Sequence, residues 1–236
     1  MKALLLAAGL GTRLRPITDV VPKCLVPIHG RPLLDYWMEM LTEAGVGPLL
    51  LNLHHMADQV ECYLAGSPYC NAVSTVYEER LLGTAGTLLQ NRSFFANTPL
   101  MLIHADNLSR FDVRAFIAKH AGRPRRCEIT MMTFDTDAPE SCGIVELDDE
   151  GVVRAFHEKT SKPPGNLANG AVYILEPDVF DFLAALNKNT IDFSTEVLPH
   201  YLDRIYTFKN DRYHRDIGTV DSYRRGLQDT ADWIPV

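Results

Sequence analysis

Six apolar residues in a row, Ala3-Leu4-Leu5-Leu6-Ala7-Ala8, run without alternation straight into Gly9-Leu10-Gly11-Thr12-Arg13. A strand apolar on both faces needs a sheet covered on both sides, which is the habit of parallel α/β sheets. A buried strand that empties into a glycine-rich loop is how such proteins hold phosphate. Glycines let backbone N–H groups approach and point at an anion, and Arg13, Arg15 and Lys23 add positive charge nearby. The spacing fits neither common phosphate fingerprint. A Walker loop needs Gly, four residues, then Gly-Lys-Ser/Thr, and a dinucleotide loop needs a third glycine where this chain has Leu14. On spacing alone, an ordinary turn carrying solvated cations competes evenly with a phosphate loop.

The rest of the chain repeats the strand-then-helix theme. Leu33, Leu34, Trp37, Met38 and Leu41 recur at helical spacing over 32–44, and strands follow at 49–53, 74–77, 100–104, 128–134 and 167–175. Helices are expected at 56–64, from Thr84, at 113–120, at 177–187, opening near 192–196 and after Gly218-Thr219. A hairpin is expected to join 143–147 to 152–156 across Asp148-Asp149-Glu150-Gly151. This alternation predicts an α/β fold with a mostly parallel central sheet. Ligands on such sheets bind outside the carboxyl ends of the strands. The first loop, the residues after Tyr77 and those after His104 are therefore expected along one rim.

Three polar groups stand at strand ends. Asp106 follows the apolar strand 100–104 and is delivered to the rim beside the first loop; a carboxylate capping a turn is the alternative. Asp216 is a second strand-end carboxylate, with a helix-capping role as its alternative. His54-His55 points in opposite directions in an extended chain, which argues against a shared ligand role.

Composition narrows the classes. The chain has 236 residues, 46% of them hydrophobic and 22% charged, and a formal net charge of -7. That balance suits one globular unit and argues against a nucleic-acid scaffold, while a local cationic cluster can still attract a nucleotide. Five cysteines without metal-like spacing read as free thiols in a reducing compartment. The first apolar run is too short for a signal peptide, and no run reaches the ~20 residues of a membrane span. The expectation is a cytoplasmic protein without membrane or nucleic-acid partners, its oligomeric state left open.

The segments L-A-A-G-L-G-T-R-L-R-P and P-K-C-L-V-P-I-H-G-R-P-L-L resemble the N-terminal signature of the sugar-1-phosphate nucleotidylyltransferases, or sugar-nucleotide pyrophosphorylases. L-G-T-A-G (82–86), F-H-E-K (156–159), N-G-A-V-Y (169–173) and D-I-G-T (216–219) follow in family order. The resemblance implies a Rossmann-like three-layer sandwich of glycosyltransferase-A type, as a single nucleotidyltransferase domain over 1–236. Its nucleotide part covers about 1–135 and its sugar-phosphate part about 136–236, without the appended β-helix of longer relatives. It implies transfer of a nucleotidyl group from a nucleoside triphosphate to a sugar 1-phosphate with Mg²⁺.

In that reading Arg13, Lys23 and Asp106 are catalytic, and Asp106 with Asp216 carries the metal. Leu6, Ala8, Gly9, Gly11, Thr12, Arg13, Glu79, Gly83, Thr84 and Gly86 contact the nucleotide. Asn107, Gly143, Glu158, Lys159, Asn169 and Gly170 hold the sugar phosphate, and the loop at 161–166 could close over substrate. This chain has Ala105 where relatives often have glycine. L-G-T-A-G is most similar to mannose-1-phosphate guanylyltransferase-like members, which favours GTP. Thymidylyl or uridylyl transfer to glucose-, heptose- or muramate-type phosphates, cytidylyl transfer to a non-sugar phosphate, and a non-catalytic regulatory subunit are the alternatives.

Overall fold

The computed structural model describes residues 1–233. Its strands are β1 Lys2–Leu6, β2 Pro27–Ile28, β3 Arg31–Pro32, β4 Leu49–Leu53, β5 Val73–Tyr77, β6 Leu100–His104, β7 Asn107–Arg110, β8 Ile129–Asp135, β9 Gly143–Leu147, β10 Val153–Glu158, β11 Leu167–Leu175, β12 Ile205–Lys209 and β13 Tyr213–Asp216. Its helices are α1 Leu33–Glu43, α2 Ala57–Ala65, α3 Gly83–Gln90, α4 Arg92–Phe95, α5 Val113–Ala121, α6 Val179–Ala185 and α7 Val220–Asp229. The α/β class expected from the sequence is the class observed. Two compact units form. The distal-chain unit comprises Met1–Lys2, Leu81–Ile103 and Phe111–Asp211, and the loop unit comprises Ala3–Arg80, His104–Arg110 and Arg212 onward.

In the loop unit, β1, β4 and β5 pair in parallel, with Leu4 opposite Leu50 and Leu50 opposite Ser74. α1 and α2 are the intervening helices, as parallel pairing requires a crossover. α1 buries Leu33, Leu34, Trp37, Met38 and Leu41, the stripe visible in the sequence. A separate antiparallel ladder joins β13 to β7 and sets Asp216 opposite Asn107. Ile28, Leu33, Leu108 and Ile217 pack beneath it, with Tyr36, Tyr213, Tyr223 and Trp233 at the margin.

In the distal-chain unit β11 is the organising strand. It runs antiparallel to β6, β8 and β9, while β12 pairs with β8 in parallel. The 143–158 hairpin forms as β9 and β10, in antiparallel register from Val153–Leu147 to Glu158–Gly143. Asp148 shapes its turn by accepting from the Val152 and Glu150 amides. Phe134, Ile144 and Ala168 form one small core under this hairpin. No helix among the described residues is long and apolar enough to cross a membrane.

Candidate active site

β1 delivers its loop from a strand in which Ala3, Leu4 and Leu5 are buried. Gly11 turns the chain with φ 62°, a left-handed conformation that glycine adopts without cost. Its close neighbour requires glycine as well, since a Cβ there would lie 2.8 Å from Thr18 Cγ2. The Thr18 hydroxyl donates to the Gly11 carbonyl at 2.7 Å and so ties the loop back on itself. Gly9 and Thr12 stand on the exposed part of this loop, and Leu6 and Ala8 are buried at the strand end.

Lys23 sits in a single 3₁₀ turn, Lys23–Leu25, and its ammonium is the hub of the loop unit. Its Nζ lies 2.8 Å from Asp106 Oδ2 and 3.6 Å from Asp216 Oδ1. Arg13 Nη2 is 3.6 Å from the other oxygen of Asp216. The Lys23 side chain is 7% exposed, against 34% for Asp106, 51% for Asp216 and 68% for Arg13. A buried cation therefore anchors two acids whose side chains stay partly exposed.

These acids stand far apart in the chain and meet here because of the β7–β13 ladder. Asp106 immediately precedes β7, and the register puts Asp216 across from Asn107. Asn107 is itself buried, and its carbonyl accepts from the Trp37 indole at 2.9 Å. Gly218 completes the corner: its amide donates to Asp216 Oδ1 at 2.7 Å. A Cβ there would fall 2.8 Å from that oxygen and 2.9 Å from Arg13 Nη2. Burial would raise the Asp106 pKa, but the Lys23 ammonium, His104 and the hydrogen bonds from Lys23 and the backbone outweigh it and hold the carboxyl below its ordinary value. Asp106 is thus ionised at neutral pH.

Two hard, partly exposed carboxylates suit magnesium, whose other ligands would be phosphate oxygens and water. Among the described residues, no cluster of three or more His, Cys, Asp and Glu side chains could hold a metal. The donor set fits a cation that arrives with its phosphates rather than one caged by the protein.

The distal-chain unit gathers the other expected residues into two groups. In the first, the glycines of Leu82-Gly83-Thr84-Ala85-Gly86 seat residues 189–193. A Cβ on Gly83, whose φ is 74°, would come within 2.5 Å of the Ile191 carbonyl oxygen, and one on Gly86 within 2.7 Å of the Asn189 oxygen. The Ala85 and Gly86 amides both donate to Ile191 O, and Thr84 Oγ1 accepts from the Phe193 amide at 2.7 Å. The Ala85 and Gly86 amides and the Thr84 hydroxyl, in a segment expected to contact the nucleotide, are engaged in docking residues 189–193. Glu79, in the loop unit, is exposed.

In the second group, Gly143 is enclosed by Phe156 and Glu158: a Cβ there would lie 2.6 Å from the Phe156 ring and 2.8 Å from Glu158 Oε2. Lys159 has φ 45°, and its Nζ lies 3.4 Å from Glu158 Oε1. Asn169 donates to the Tyr173 hydroxyl at 2.7 Å and accepts from the Ala171 amide, shaping the register shift in β11. Gly170 lies against Met132: a Cβ there would fall 2.6 Å from Met132 Cε and 3.1 Å from its carbonyl oxygen. Tyr173 packs on Phe193 with centroids 4.7 Å apart, so Asn169, Tyr173, Phe193 and Thr84 form one continuous chain of contacts. The loop at 161–166 carries no regular element. His54 is a structural group: Nδ1 meets the Glu78 carbonyl at 2.7 Å.

The profile of a family described as "Nucleotidyl transferase" matches residues 2–232. The chain belongs to the nucleotidyl transferase family. Among its relatives, this nucleotidyl transferase is 31% identical to mannose-1-phosphate guanylyltransferase of Mycobacterium tuberculosis over 98% of its length and 65% of that protein's. It is 29% identical to UTP–glucose-1-phosphate uridylyltransferase of Synechocystis over 97% of its length and 63% of that protein's. The chain thus spans a little under two thirds of these relatives. The crystal structure of HddC from Yersinia pseudotuberculosis complexed with GMP-PN matches its fold with a TM-score of 0.81 at 24% identity, covering 97% of this chain and 99% of that one.

Reasoning from sequence missed three groups in this nucleotidyl transferase: Gly218 as a carboxylate-shaping residue, Tyr173 behind Asn169, and the buried pair Asn52 and Glu78. Asn52 carried a usable signal, being the one polar residue in Leu49-Leu50-Leu51-Asn52-Leu53, where a buried amide must find partners.

Proposed function

We propose that the chain transfers a nucleotidyl group from a nucleoside triphosphate to a sugar 1-phosphate, forming a nucleoside diphosphate sugar and pyrophosphate. The observation that carries this reading is the bonding of Asp106 and Asp216 to one buried ammonium, Lys23, with the Arg13 guanidinium beside them. A phosphate oxygen of the sugar phosphate attacks the α-phosphorus. The bond to the bridging oxygen of the β-phosphate breaks, and pyrophosphate leaves with that electron pair. The nucleophile is already anionic, so the demand on the protein is alignment of two anions and neutralisation of their charge.

Arg13 and the Gly9, Gly11 and Thr12 backbone receive the triphosphate and the departing pyrophosphate, with Leu6, Ala8 and Glu79 contributing to nucleotide binding. Lys23 holds positive charge at the α-phosphate. Glu158 and Asn169 accept from or donate to sugar hydroxyls, Lys159 meets the sugar phosphate, and Asn107, Gly143 and Gly170 shape its seat. Asp106 and Asp216 are the residues that would hold Mg²⁺, which supplies charge compensation to the phosphate oxygens when bound. A cytoplasmic setting goes with these substrates.

GTP is the favoured nucleotide, supported by L-G-T-A-G and by the similarity to a guanylyltransferase. UTP is the second reading, supported by comparable similarity to a uridylyltransferase. The test is pyrophosphate release with each nucleoside triphosphate against a panel of hexose, heptose and amino-sugar 1-phosphates. Release that depends on both substrates, greatest with GTP, is expected. Release with no sugar phosphate, or only with a phosphorylated alcohol, would overturn the reading.

A further inference from the structure

Asn52 and Glu78 take no part in the chemistry proposed above, yet both are buried beneath the loop unit's phosphate loop. Asn52 Oδ1 accepts from the Ala7 amide at 2.8 Å, and Asn52 Nδ2 donates to Glu78 Oε1 at 3.0 Å. Ala7 is the first residue beyond β1, between Leu6 and Ala8. The Leu6 carbonyl is fixed as well, accepting from the Ala105 amide at 3.1 Å, and Ala105 adjoins Asp106. Glu78 follows β5, held by its amide donating to Leu53 O at 2.9 Å, and leads into Glu79. One side-chain amide therefore ties the start of the phosphate loop to the segment after β5.

We infer that Asn52 is a positioning residue that fixes the Leu6–Ala8 backbone for the nucleotide through a polarity-matched relay, Ala7 N–H to Asn52 to Glu78. The inference rests on the nucleotide reading above. Its logic is directional. The Ala7 N–H needs an acceptor and the Glu78 carboxylate needs a donor, and a primary amide offers both at once. A buried polar group deprived of its partner costs more than the bond itself contributes. Aspartate in place of Asn52 still accepts from Ala7 but cannot donate to Glu78 once ionised, and two carboxylates then face each other in a buried site. Pairing that change with Glu78→Gln reverses the polarity of the second bond at constant shape: the introduced glutamine amide donates and the introduced aspartate accepts.

The experiment measures calorimetric binding of GTP and of UTP with Mg²⁺ at pH 8 for the full chain, Asn52→Asp, and the Asn52→Asp/Glu78→Gln pair. Asn52→Asp is expected to weaken binding of the preferred nucleotide by about tenfold or more, and the double variant to return within about threefold of the parent. The Michaelis constant for the sugar 1-phosphate is expected to stay within about twofold in all three, unlike the response to general loosening of the fold. Unweakened binding in Asn52→Asp, or no recovery in the folded double variant, overturns the inference, the latter because Glu78's charge would then act in its own right. Amide exchange at Ala7, read by NMR without ligand, tests the relay separately: Asn52→Leu is expected to speed it by about tenfold. An unchanged rate there overturns the relay, whereas a parent chain that binds no nucleotide overturns the proposed function instead.

Discussion

At the scale of single residues, Lys23 does what its burial demands. An ammonium with almost no water must be paired, and two carboxylates pair it. Lys23→Ala is predicted to lower stability by about 1–3 kcal/mol while turnover falls at least about a hundredfold. Urea unfolding beside steady-state pyrophosphate release compares the two losses. Gly218 is a sharper test of geometry, since its amide and its missing Cβ both shape Asp216. Gly218→Ala is predicted to displace the Asp216 carboxylate and Arg13, reducing turnover by about tenfold with the nucleotide Michaelis constant changed less. A kinetic split of the opposite sense would remove Gly218 from the site's support. Arg13 and Asp106 drew notice in the sequence by position, at a glycine loop and at the end of an apolar strand, whereas Lys23 and Asp216 drew it through the family-like segments P-K-C-L-V-P and D-I-G-T. What brings the acids onto one cation was not legible there, because the β7–β13 ladder joins two short strands from distant parts of the chain.

At the scale of elements, the clearest result is the use of Leu82–Gly86. Glycine and threonine there invite a reading as ligand contacts, yet Gly83, Thr84 and Gly86 seat residues 189–193 against α3. Gly83→Ala combines left-handed backbone with a backbone clash, and is predicted to cost about 2–4 kcal/mol. Chemical denaturation gives that figure, and a loss under about 0.5 kcal/mol, typical of a neutral surface change, would contradict the packing account. The long periodic elements were readable: the stripe in α1 and the run of β11 each follow from a local pattern. β12 was not anticipated, since Ile205-Tyr206-Thr207-Phe208-Lys209 owes its strand state to parallel pairing with distant β8. Likewise 192–196, expected to open a helix, becomes a single π turn at Phe193–Val197, capped by Asp192.

At the scale of the molecule, acid stability has an identifiable contributor that takes no part in the proposed chemistry. His120 is buried, bonded through Nδ1 to Thr130 Oγ1 at 2.7 Å and through Nε2 to Glu176 at 3.1 Å. Burial first, and then the Arg123 charge, depress its pKa to about 4, against the opposing pull of Glu176. The unfolded chain titrates this group near 6.5, so it binds the proton before the folded chain does. The stabilisation is complete above that value and is lost as pH falls from about 6.5 towards 4. His120→Gln is predicted to flatten the stability profile in that window, measured by unfolding midpoints from about pH 7 to about pH 4; an unchanged slope would exonerate His120.

The central claim concerns the other unit: Asp106 and Asp216 work as one anionic site gathered by Lys23. A double-mutant cycle on pyrophosphate release, with Asp106→Asn, Asp216→Asn and the pair, tests it most directly. Groups that act as a unit fail together, so each single change is predicted to cost about a hundredfold or more and the pair little beyond the worse of the two. Losses that multiply independently, or a single variant that turns over like the parent, would contradict the account.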